Sequence, residues 1–212
     1  MTQLPDIRIV LTDDHQIVID GLAAALKNFP HIAIVATATS GQAMIDILQQ
    51  TQADIMLTDL MMPGMDGQAL AQAVKSIYPE MKIIALSMNG SGEQVEGMLP
   101  FVEAYLLKHC GIQELVLAIE TVYNGGEYFD ASVQQELITH RKSQQNLKNV
   151  GITPREKQII QMMEKDLSNK EISSQLCISV RTVETHRKNI LRKTGTKNLL
   201  TLVKWAQEHH LL

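Results

Sequence analysis

Cysteine is scarce in this chain, because only Cys110 and Cys177 occur among its 212 residues. The two lie far apart and match no metal-ligand spacing, so we expect neutral thiols and no disulfide framework. Apolar runs long enough to cross a bilayer are also missing, and the first stretch, MTQLPDIRIV, lacks the charged start and apolar middle of a signal peptide. These absences predict a cytoplasmic protein that binds no membrane.

Basic residues are few in the first part of the chain, and acidic residues are few in the second. Residues 1–150 hold 8 Lys and Arg against 17 Asp and Glu, a net charge of −9, whereas residues 151–212 hold 11 against 6, a net charge of +5. This division predicts an acidic domain that handles cations or phosphate groups, joined to a basic domain that meets a polyanion. Between them, a polar, Gln-rich segment predicts a short helix and then a linker from about Ser143 to Gly151. The expected division is residues 1–130, 131–151 and 152–212.

Five short β-rich runs alternate with helix-period segments in the acidic part: IRIVLT, IAIVATA, DIMLTD, KIIALS and AYLLK. That alternation predicts βαβ units, and hence an α/β doubly wound parallel sheet of five strands. The runs are mostly apolar and show no regular alternation with polar residues, as burial on both faces of a sheet requires. Ligands of such sheets bind beyond the carboxyl ends of the strands, so the residues that follow the runs should meet in one crevice.

Polar residues stand at four of these strand ends. Asp13 and Asp14 follow the first run, Asp59 ends the third, Ser87 the fourth and Lys108 the fifth. Carboxylate oxygens suit a hard cation such as Mg²⁺, which offsets the repulsion between adjacent carboxylates. Asp59 is then a nucleophile that forms an acyl phosphate, while Ser87 and Lys108 hold the phosphoryl oxygens. Any one of these residues alone is more simply a strand-end cap, but their shared position favours a phosphorylation site.

An aspartate-nucleophile phosphatase is the competing interpretation. Such enzymes also combine Mg²⁺ with an Asp at a strand end, but their pattern has a second Asp two residues later. In this chain that position is Met61. The missing general acid argues against turnover of an external substrate, so we expect a slow, self-limited phosphorylation and not an enzyme.

The motifs DDH, LTDLMMPGMDG, ALS and YLLK resemble the receiver domain of bacterial two-component response regulators, over residues 7 to about 130. The resemblance implies a flavodoxin-like fold, Mg²⁺ as the cofactor, a sensor histidine kinase as the phosphodonor and a homodimer in the active state. It also implies metal ligands at Asp13, Asp14, Asp59 and the main-chain carbonyl of Met61, a phosphoacceptor at Asp59, a switch hydroxyl at Ser87, a rotating aromatic at Tyr105 and an active-site lysine at Lys108.

One segment departs from the pattern of that family. The stretch between Ser87 and Lys108 is slightly short, Pro100 stands where a helix should be ending, and no Gly-Ala pair precedes Tyr105. Proline removes a helix donor and clashes with the preceding turn. We therefore expect the fourth helix to be short or displaced.

The basic part of the chain predicts a small all-α domain of four helices, with a helix-turn-helix in the middle. Capping-box patterns at Thr153 and Ser168 each begin a helix. Ser179 caps the third helix and Gly195 ends it, and a fourth helix extends from about Asn198 to Glu208.

Helical arithmetic sorts the third of these helices into two faces. At about 100° per residue, Val183 and Ile190 fall opposite a polar and mostly basic face. Such a helix fits the major groove of DNA, with early residues at base edges and flanking Lys and Arg on phosphates. A merely solvated face is the alternative, which the capped helix before it and the positive charge of the domain argue against. The polar face consists of Arg181, Glu184, Thr185, Lys188 and Arg192.

The strings LSNKEIS and TVETHRKNILRKTG resemble the LuxR-type helix-turn-helix of the NarL/FixJ subfamily of response regulators, over residues 152–208. The resemblance implies a phosphorylation-regulated transcription factor that binds double-stranded DNA. The alternative is a DNA-binding regulator that uses an unphosphorylated receiver as a dimerisation module. By match to the motif, Glu184, Thr185 and Lys188 read bases, Lys170, Thr182, Arg187, Arg192 and Lys193 contact phosphates, and Arg181 completes the DNA-binding set.

Overall fold

The computed structural model describes residues 7–209 and 211, with the backbone alone for residues 146–149. The chain divides into two compact units, residues 1–137 and residues 138–212. Among the described residues, no helix combines the length and the apolar character that crossing a bilayer requires.

A parallel sheet of six strands forms the centre of the first unit, in the order β2-β1-β3-β4-β5-β6. Strands and helices alternate along the chain, which confirms the predicted doubly wound architecture. The direction of winding reverses between β1 and β3, and ligands of such sheets bind at that point. The elements of the first unit are β1 (Ile7–Thr12), α1 (Gln16–Leu26), β2 (Ile32–Ala38), α2 (Gly41–Leu48), β3 (Ile55–Asp59), α3 (Gly67–Ile77), β4 (Lys82–Ser87), α4 (Gly92–Met98), β5 (Ala104–Leu107), α5 (Ile112–Tyr123), β6 (Tyr128–Phe129) and the beginning of α6 (Ala131–Val150).

Successive side chains of the central strands enter two separate apolar layers. Val10 and Met56 pack on one face of the sheet with residues of α2, α3 and α4. Ile9 and Leu57 pack on the other face with residues of α1 and α5. Because helices cover both faces of β1, β3 and β4, nearly every residue of these strands is buried and most are apolar, as the sequence predicts.

The predicted strand number was wrong, since the sheet has a sixth strand. β6 is only two residues long, Tyr128–Phe129, and pairs in parallel with Ala104 and Tyr105 of β5. It follows a turn at Gly125, where φ is 86°. Two residues are too few to show the alternation that identifies a strand in a sequence.

The fourth helix is short, as expected. α4 spans the seven residues Gly92–Met98, and its last turn ends immediately before Pro100. Ser91 caps the helix, its side chain accepting from Gln94 N at 3.4 Å.

The predicted linker was also wrong for residues 143–150, which continue α6 as far as Val150. Ser143 is buried, and its hydroxyl donates to the carbonyl oxygen of His209 at 2.6 Å. Gln and Lys are good helix formers, so their abundance in this segment is compatible with a helix as well as with a linker. The chain leaves the helix at Gly151, where φ is 70°.

The second unit contains the rest of α6 and, within the described residues, four further helices, the number that the sequence predicts. Their core contains Ile159, Ile172, Val183, Ile190 and Leu202. Both predicted capping boxes are present, at the starts of α7 and α8. Helices this short gain little stability on their own, so caps and the shared core hold them together. Their bounds are α7 (Pro154–Glu164), α8 (Asn169–Gln175), α9 (Val180–Thr194) and α10 (Leu199–Glu208).

Candidate functional sites

Three charged side chains meet at the carboxyl ends of β1, β3 and β5. Lys108 Nζ lies 2.6 Å from Asp13 Oδ2 and 2.9 Å from Asp59 Oδ2, so one ammonium group bridges two carboxylates. The side chains of Asp13 and Asp59 are almost fully buried, at 1% and 3% exposed. The sheet therefore brings together Asp13, Asp59 and Lys108, three of the five residues that were predicted to converge there.

The protonation of Lys108 follows from these partners. Burial acts to lower the pKa of its amine, but the hydrogen bonds and charges of Asp13 and Asp59 outweigh burial, so that its pKa is raised. A buried charge is retained when it is paired and hydrogen-bonded. The two carboxylates thus favour the charged form of Lys108.

Among the described residues, Asp14 carries a buried carboxylate oxygen that has no hydrogen-bond partner. Its Oδ1 is buried, and although His15 Nδ1 lies 2.8 Å away, no donor is aligned to bond it. Asp13, Asp14 and His15 each offer a ligand atom within 4.8 Å of the others. A buried oxygen without a donor next to a second carboxylate fits a hard divalent cation, because such ions bind carboxylate oxygens.

Ser87 and Tyr105 both hydrogen-bond to Asn89, which lies in the loop between β4 and α4. The hydroxyl of Ser87 accepts from Asn89 N at 3.2 Å, and the hydroxyl of Tyr105 donates to Asn89 O at 2.9 Å. Both side chains are fully buried. Burial raises the pKa of Tyr105, a hydrogen bond with Ser87 opposes this, and the charge of Asp59 adds to the rise. The predicted switch residues therefore share Asn89 as a neighbour, and Tyr105 lies near Asp59, the predicted phosphoacceptor.

The exposed Met61 and the glycine at the start of α3 shape the loop after Asp59. Met61 N donates to Asp59 Oδ1 at 3.3 Å, which orients the carboxylate. A Cβ atom at Gly67 would lie 2.1 Å from Asp59 O and 2.7 Å from Leu60 Cα, so no larger residue fits. Sequence reasoning missed Gly67. Its only sequence signal is its place directly after Asp66, which caps α3.

The polar face of α9 lies where the helical arithmetic placed it. Arg181, Glu184, Thr185, Lys188 and Arg192 are all exposed, whereas Val183 and Ile190 are fully buried in the core. Four of these exposed residues, together with Val180, line one shallow depression on the surface. The side chain of Ser179 caps the helix by accepting from Thr182 N at 3.0 Å. The first turn of α9 thereby presents a fixed, charged and accessible surface.

The residues that were predicted to contact DNA phosphates differ in their exposure and in their hydrogen-bond partners within the protein. Lys170 and Arg192 are exposed, and Arg187 is half-buried and donates to Asn169 Oδ1. Lys193 is the exception, because its ammonium donates to Glu156 Oε2 and to Gly151 O, each at 2.7 Å. The positive charge of Lys193 is therefore paired with a carboxylate of the same domain. The structure thus argues against the sequence-based assignment of Lys193 to a DNA phosphate.

Glu156 shows why Lys193 is needed there. Burial alone would raise the pKa of this carboxyl group, but hydrogen bonds from Lys193 and Thr153 outweigh burial, so that the pKa is lowered. Thr153 donates to Glu156 Oε2 from its backbone nitrogen at 2.8 Å and from its hydroxyl at 2.9 Å. The capping box of α7 is therefore closed by a lysine from α9.

Both units match known protein families. Residues 9–120 match the response regulator receiver domain, and residues 151–206 match the luxR family of bacterial regulatory proteins. The transcriptional regulatory protein MctR of Rhizobium johnstonii is 35% identical over 213 residues, covering 100% of this chain and 98% of MctR. The oxygen regulatory protein NreC of Staphylococcus aureus is 33% identical, covering 97% of this chain and 99% of NreC.

A solved structure supports the fold at lower identity. RcsB from Salmonella enterica serovar Typhimurium, bound to a promoter in the presence of the phosphomimetic BeF₃⁻, superposes with a TM-score of 0.67 at 24% identity. The match covers 94% of this chain and 97% of that chain. It shows that the combination of a parallel α/β unit with a small helical unit is shared.

Proposed function

Because the chain belongs to the response regulators that join a receiver domain to a LuxR-type DNA-binding domain, we propose that Asp59 is its phosphoacceptor and that α9 is its DNA-reading helix. The chain is a phosphorylation-regulated DNA-binding transcription factor of a two-component system. The observation that carries the phosphoacceptor role is the buried Asp59 carboxylate, 2.9 Å from the ammonium of Lys108 and at the end of the central strand β3.

Phosphorylation transfers a phosphoryl group from a histidine of a sensor kinase. An oxygen of Asp59 forms a bond to phosphorus, while the bond from phosphorus to the histidine nitrogen breaks and the imidazole leaves with the electron pair. Lys108 is placed to donate to a phosphoryl oxygen. The hydroxyl of Ser87, which accepts from Asn89 N, lies at the end of β4, where it would donate to a second phosphoryl oxygen. The receiver catalyses only the transfer of the phosphoryl group to its own Asp59 and turns over no external substrate.

Mg²⁺ is the cation that suits the acidic crevice. Asp13, Asp14 and Asp59 would hold it through carboxylate oxygens, together with the main-chain carbonyl of Met61. When bound, the ion supplies positive charge against the carboxylates and the incoming phosphoryl group. The buried Asp14 Oδ1, which has no aligned donor, supports this assignment.

Intact-mass spectrometry tests the phosphoacceptor. The full chain, incubated with a small phosphodonor such as acetyl phosphate and Mg²⁺, should gain the mass of one phosphoryl group. Asp59→Asn should gain none, and excess chelator should abolish the gain in the unaltered protein. Equal modification of Asp59→Asn would refute the role of Asp59 and would favour a receiver that serves as a dimerisation module without phosphorylation.

DNA reading is divided among the residues of α9. We assign base contacts to Glu184, Thr185 and Lys188, whose side chains are exposed on one side of the helix. The remaining contacts go to the sugar-phosphate backbone, which fixes the position of the helix without reading sequence. Paired chains would present two recognition helices to a two-fold site. The backbone contacts are assigned to Lys170, Arg181, Thr182, Arg187 and Arg192.

Fluorescence anisotropy across a salt series separates the two kinds of contact on a duplex selected from a random pool. Lys188→Ala should weaken binding to the preferred site by about 1–3 kcal/mol and relax its sequence specificity. Arg192→Ala should weaken binding to all sequences alike and reduce the salt slope by about one. Identical profiles for the two variants would contradict the assignment.

A further inference from the structure

The loop between β4 and α4 is tied to the phosphorylation site at one residue. Asn89 donates from its backbone nitrogen to Ser87 Oγ at 3.2 Å and accepts from the Tyr105 hydroxyl at 2.9 Å through its carbonyl. A displacement of Ser87 toward a phosphoryl group would therefore stretch or break its hydrogen bond with Asn89. We call residues 88–91 the switch loop.

The next residue of the switch loop packs against the first turn of α6. A Cβ atom at Gly90 would lie 3.1 Å from Val133 Cγ2 and 3.3 Å from Leu107 Cδ2. Val133 is 1% exposed and belongs to the apolar layer that contains Tyr105. The absence of a side chain at position 90 is what allows the loop backbone to approach Val133 this closely. We call the Gly90–Val133 contact the latch.

The start of α6 is anchored to the same strand that carries Tyr105. Asp130 donates from its backbone nitrogen to Tyr105 O at 3.2 Å, and its carboxylate accepts from Ser132 N at 2.7 Å. From there α6 extends over 20 residues to Val150, which packs on the core of the DNA-binding unit. α6 thus begins beside the switch loop, and its residues are divided between the two units.

We propose that Val133 is a positioning residue of the phosphorylation switch, which holds the switch loop through Gly90 and transmits its displacement to α6. The proposal rests on the proposed function, because it requires a phosphoryl group on Asp59. When Ser87 Oγ turns to the phosphoryl group, its contact with Asn89 N is lost. The loop then moves, and its movement changes the packing of Gly90 against Val133.

The loop has room for this movement. An open groove of about 770 Å³ borders it, lined by Asn89, Gly90 and Ser91 on one side and by Val133 and Glu136 of α6 on the other. A closely packed core would resist such a shift, because interiors are packed at crystal density. Motion of the loop along an open groove displaces solvent instead of side chains.

Two variants act on the latch from opposite sides. Gly90→Ala inserts a methyl group that pushes the loop away from Val133, whereas Val133→Ala removes the methyl groups that the loop rests on. In the double variant the space left at position 133 accommodates the methyl group at position 90. A positioning role thus predicts strong non-additivity between the two changes. Gly21→Ala, with nothing within 4 Å of the new Cβ, and Val35→Ala, at a 40% exposed side chain, are matched controls.

The measurement is the ratio of DNA dissociation constants of the full chain before and after phosphorylation, with phosphoryl content determined by intact mass in the same samples. Each single variant should accept phosphate to within about two-fold of the unaltered protein but lose at least about three-fold of the ratio. The double variant should regain at least about half of that loss on a logarithmic scale. The controls should keep the full ratio.

Unchanged ratios in both single variants, or losses that simply add in the double variant, would overturn the proposal. If Val133→Ala fails to fold by circular dichroism, Gly90→Ala alone must still show the loss, and Val133→Thr, which keeps the shape of the side chain, must keep the full ratio. Failure of the proposed function has a different signature. In that case the unaltered protein itself gains no phosphoryl mass on Asp59.

Discussion

Replacing Lys193 with methionine is expected to destabilise the DNA-binding unit and to leave its contacts with DNA intact. Methionine retains the apolar stem but removes the ammonium group, which lies 2.7 Å from Glu156 Oε2 and 2.7 Å from Gly151 O. The Glu156 side chain is only 3% exposed, so in the variant a carboxylate stays buried without its cation.

The magnitude follows from the burial of the two partners. Removing one member of a fully buried ion pair costs about 3–5 kcal/mol. The side chain of Lys193 is 26% exposed, and solvent screening reduces its share. The two hydrogen bonds from Thr153 to Glu156 also remain in the variant. We therefore expect a loss of about 1–3 kcal/mol, which in a domain of this size lowers Tm by roughly 4–8 °C for each kcal/mol.

The loss depends on pH in a defined direction. The pKa of Glu156 is lowered in the folded chain, so this group contributes stability above its unfolded pKa, and the contribution disappears as pH falls through the folded pKa. Without Lys193 less opposes the effect of burial, and the folded pKa of Glu156 rises. Acid unfolding of the DNA-binding unit should then begin at a higher pH in the variant.

Trp205 makes the assay specific, because it is the single tryptophan of the chain and packs against the core of the DNA-binding unit. Urea unfolding of the full chain, followed by the fluorescence of Trp205, should show the loss in Lys193→Met and none in Arg192→Met, the exposed neighbour. DNA anisotropy completes the comparison. Unchanged stability of Lys193→Met, together with weaker binding to all sequences and a salt slope lower by about one, would restore Lys193 to the phosphate contacts.

Three further changes probe the receiver. Gly67→Ala should reduce phosphorylation of Asp59 by about ten-fold or more, because the new Cβ would lie 2.1 Å from Asp59 O; intact mass measures this, and Gly21→Ala, at an open position, should phosphorylate normally. Lys108→Met leaves Asp13 and Asp59 buried without their shared cation, so it should slow phosphorylation and lower the free energy of unfolding in chelator by about 3–5 kcal/mol; a stable variant in urea titrations followed by circular dichroism would contradict the pairing. Tyr105→Phe loses one buried hydrogen bond to Asn89 O and should cost about 1–3 kcal/mol while the protein still accepts phosphate; loss of phosphoryl mass would show that Tyr105 acts on the chemistry.

The crevice could be predicted because parallel strands place their carboxyl ends at one edge. Asp13, Asp59 and Lys108 are far apart in the chain, and each ends or follows an apolar run that any reader of the sequence can find. The polar face of α9 could be predicted for a similar reason, since the period of the helix alone separates Lys188 from Val183. Both features could be predicted because the positions of side chains in strands and helices follow a regular geometry.

The remaining features depend on tertiary contacts that no period encodes. β6 has two residues and exists because β5 offers a free edge beside it. Residues 143–150 are helical, although their composition also suits a linker. Lys193 looks like its basic neighbours, and only the approach of Glu156 from another helix shows that its charge is committed. The need for glycine at position 67 becomes visible only from the carbonyl oxygen of Asp59, which leaves no space for a Cβ atom.

The order of the strands has a consequence for how the two units acquire their structure. β1 lies between β2 and β3, so Ile9 finds its partner Ile55 only after α1, β2 and α2 have been bridged. The two helices of the helix-turn-helix, α8 and α9, are neighbours in the chain as well as in space. Folding slows as the sequence separation of contacting residues grows. We therefore expect the α8–α9 pair to form before the parallel sheet when the chain is diluted from urea.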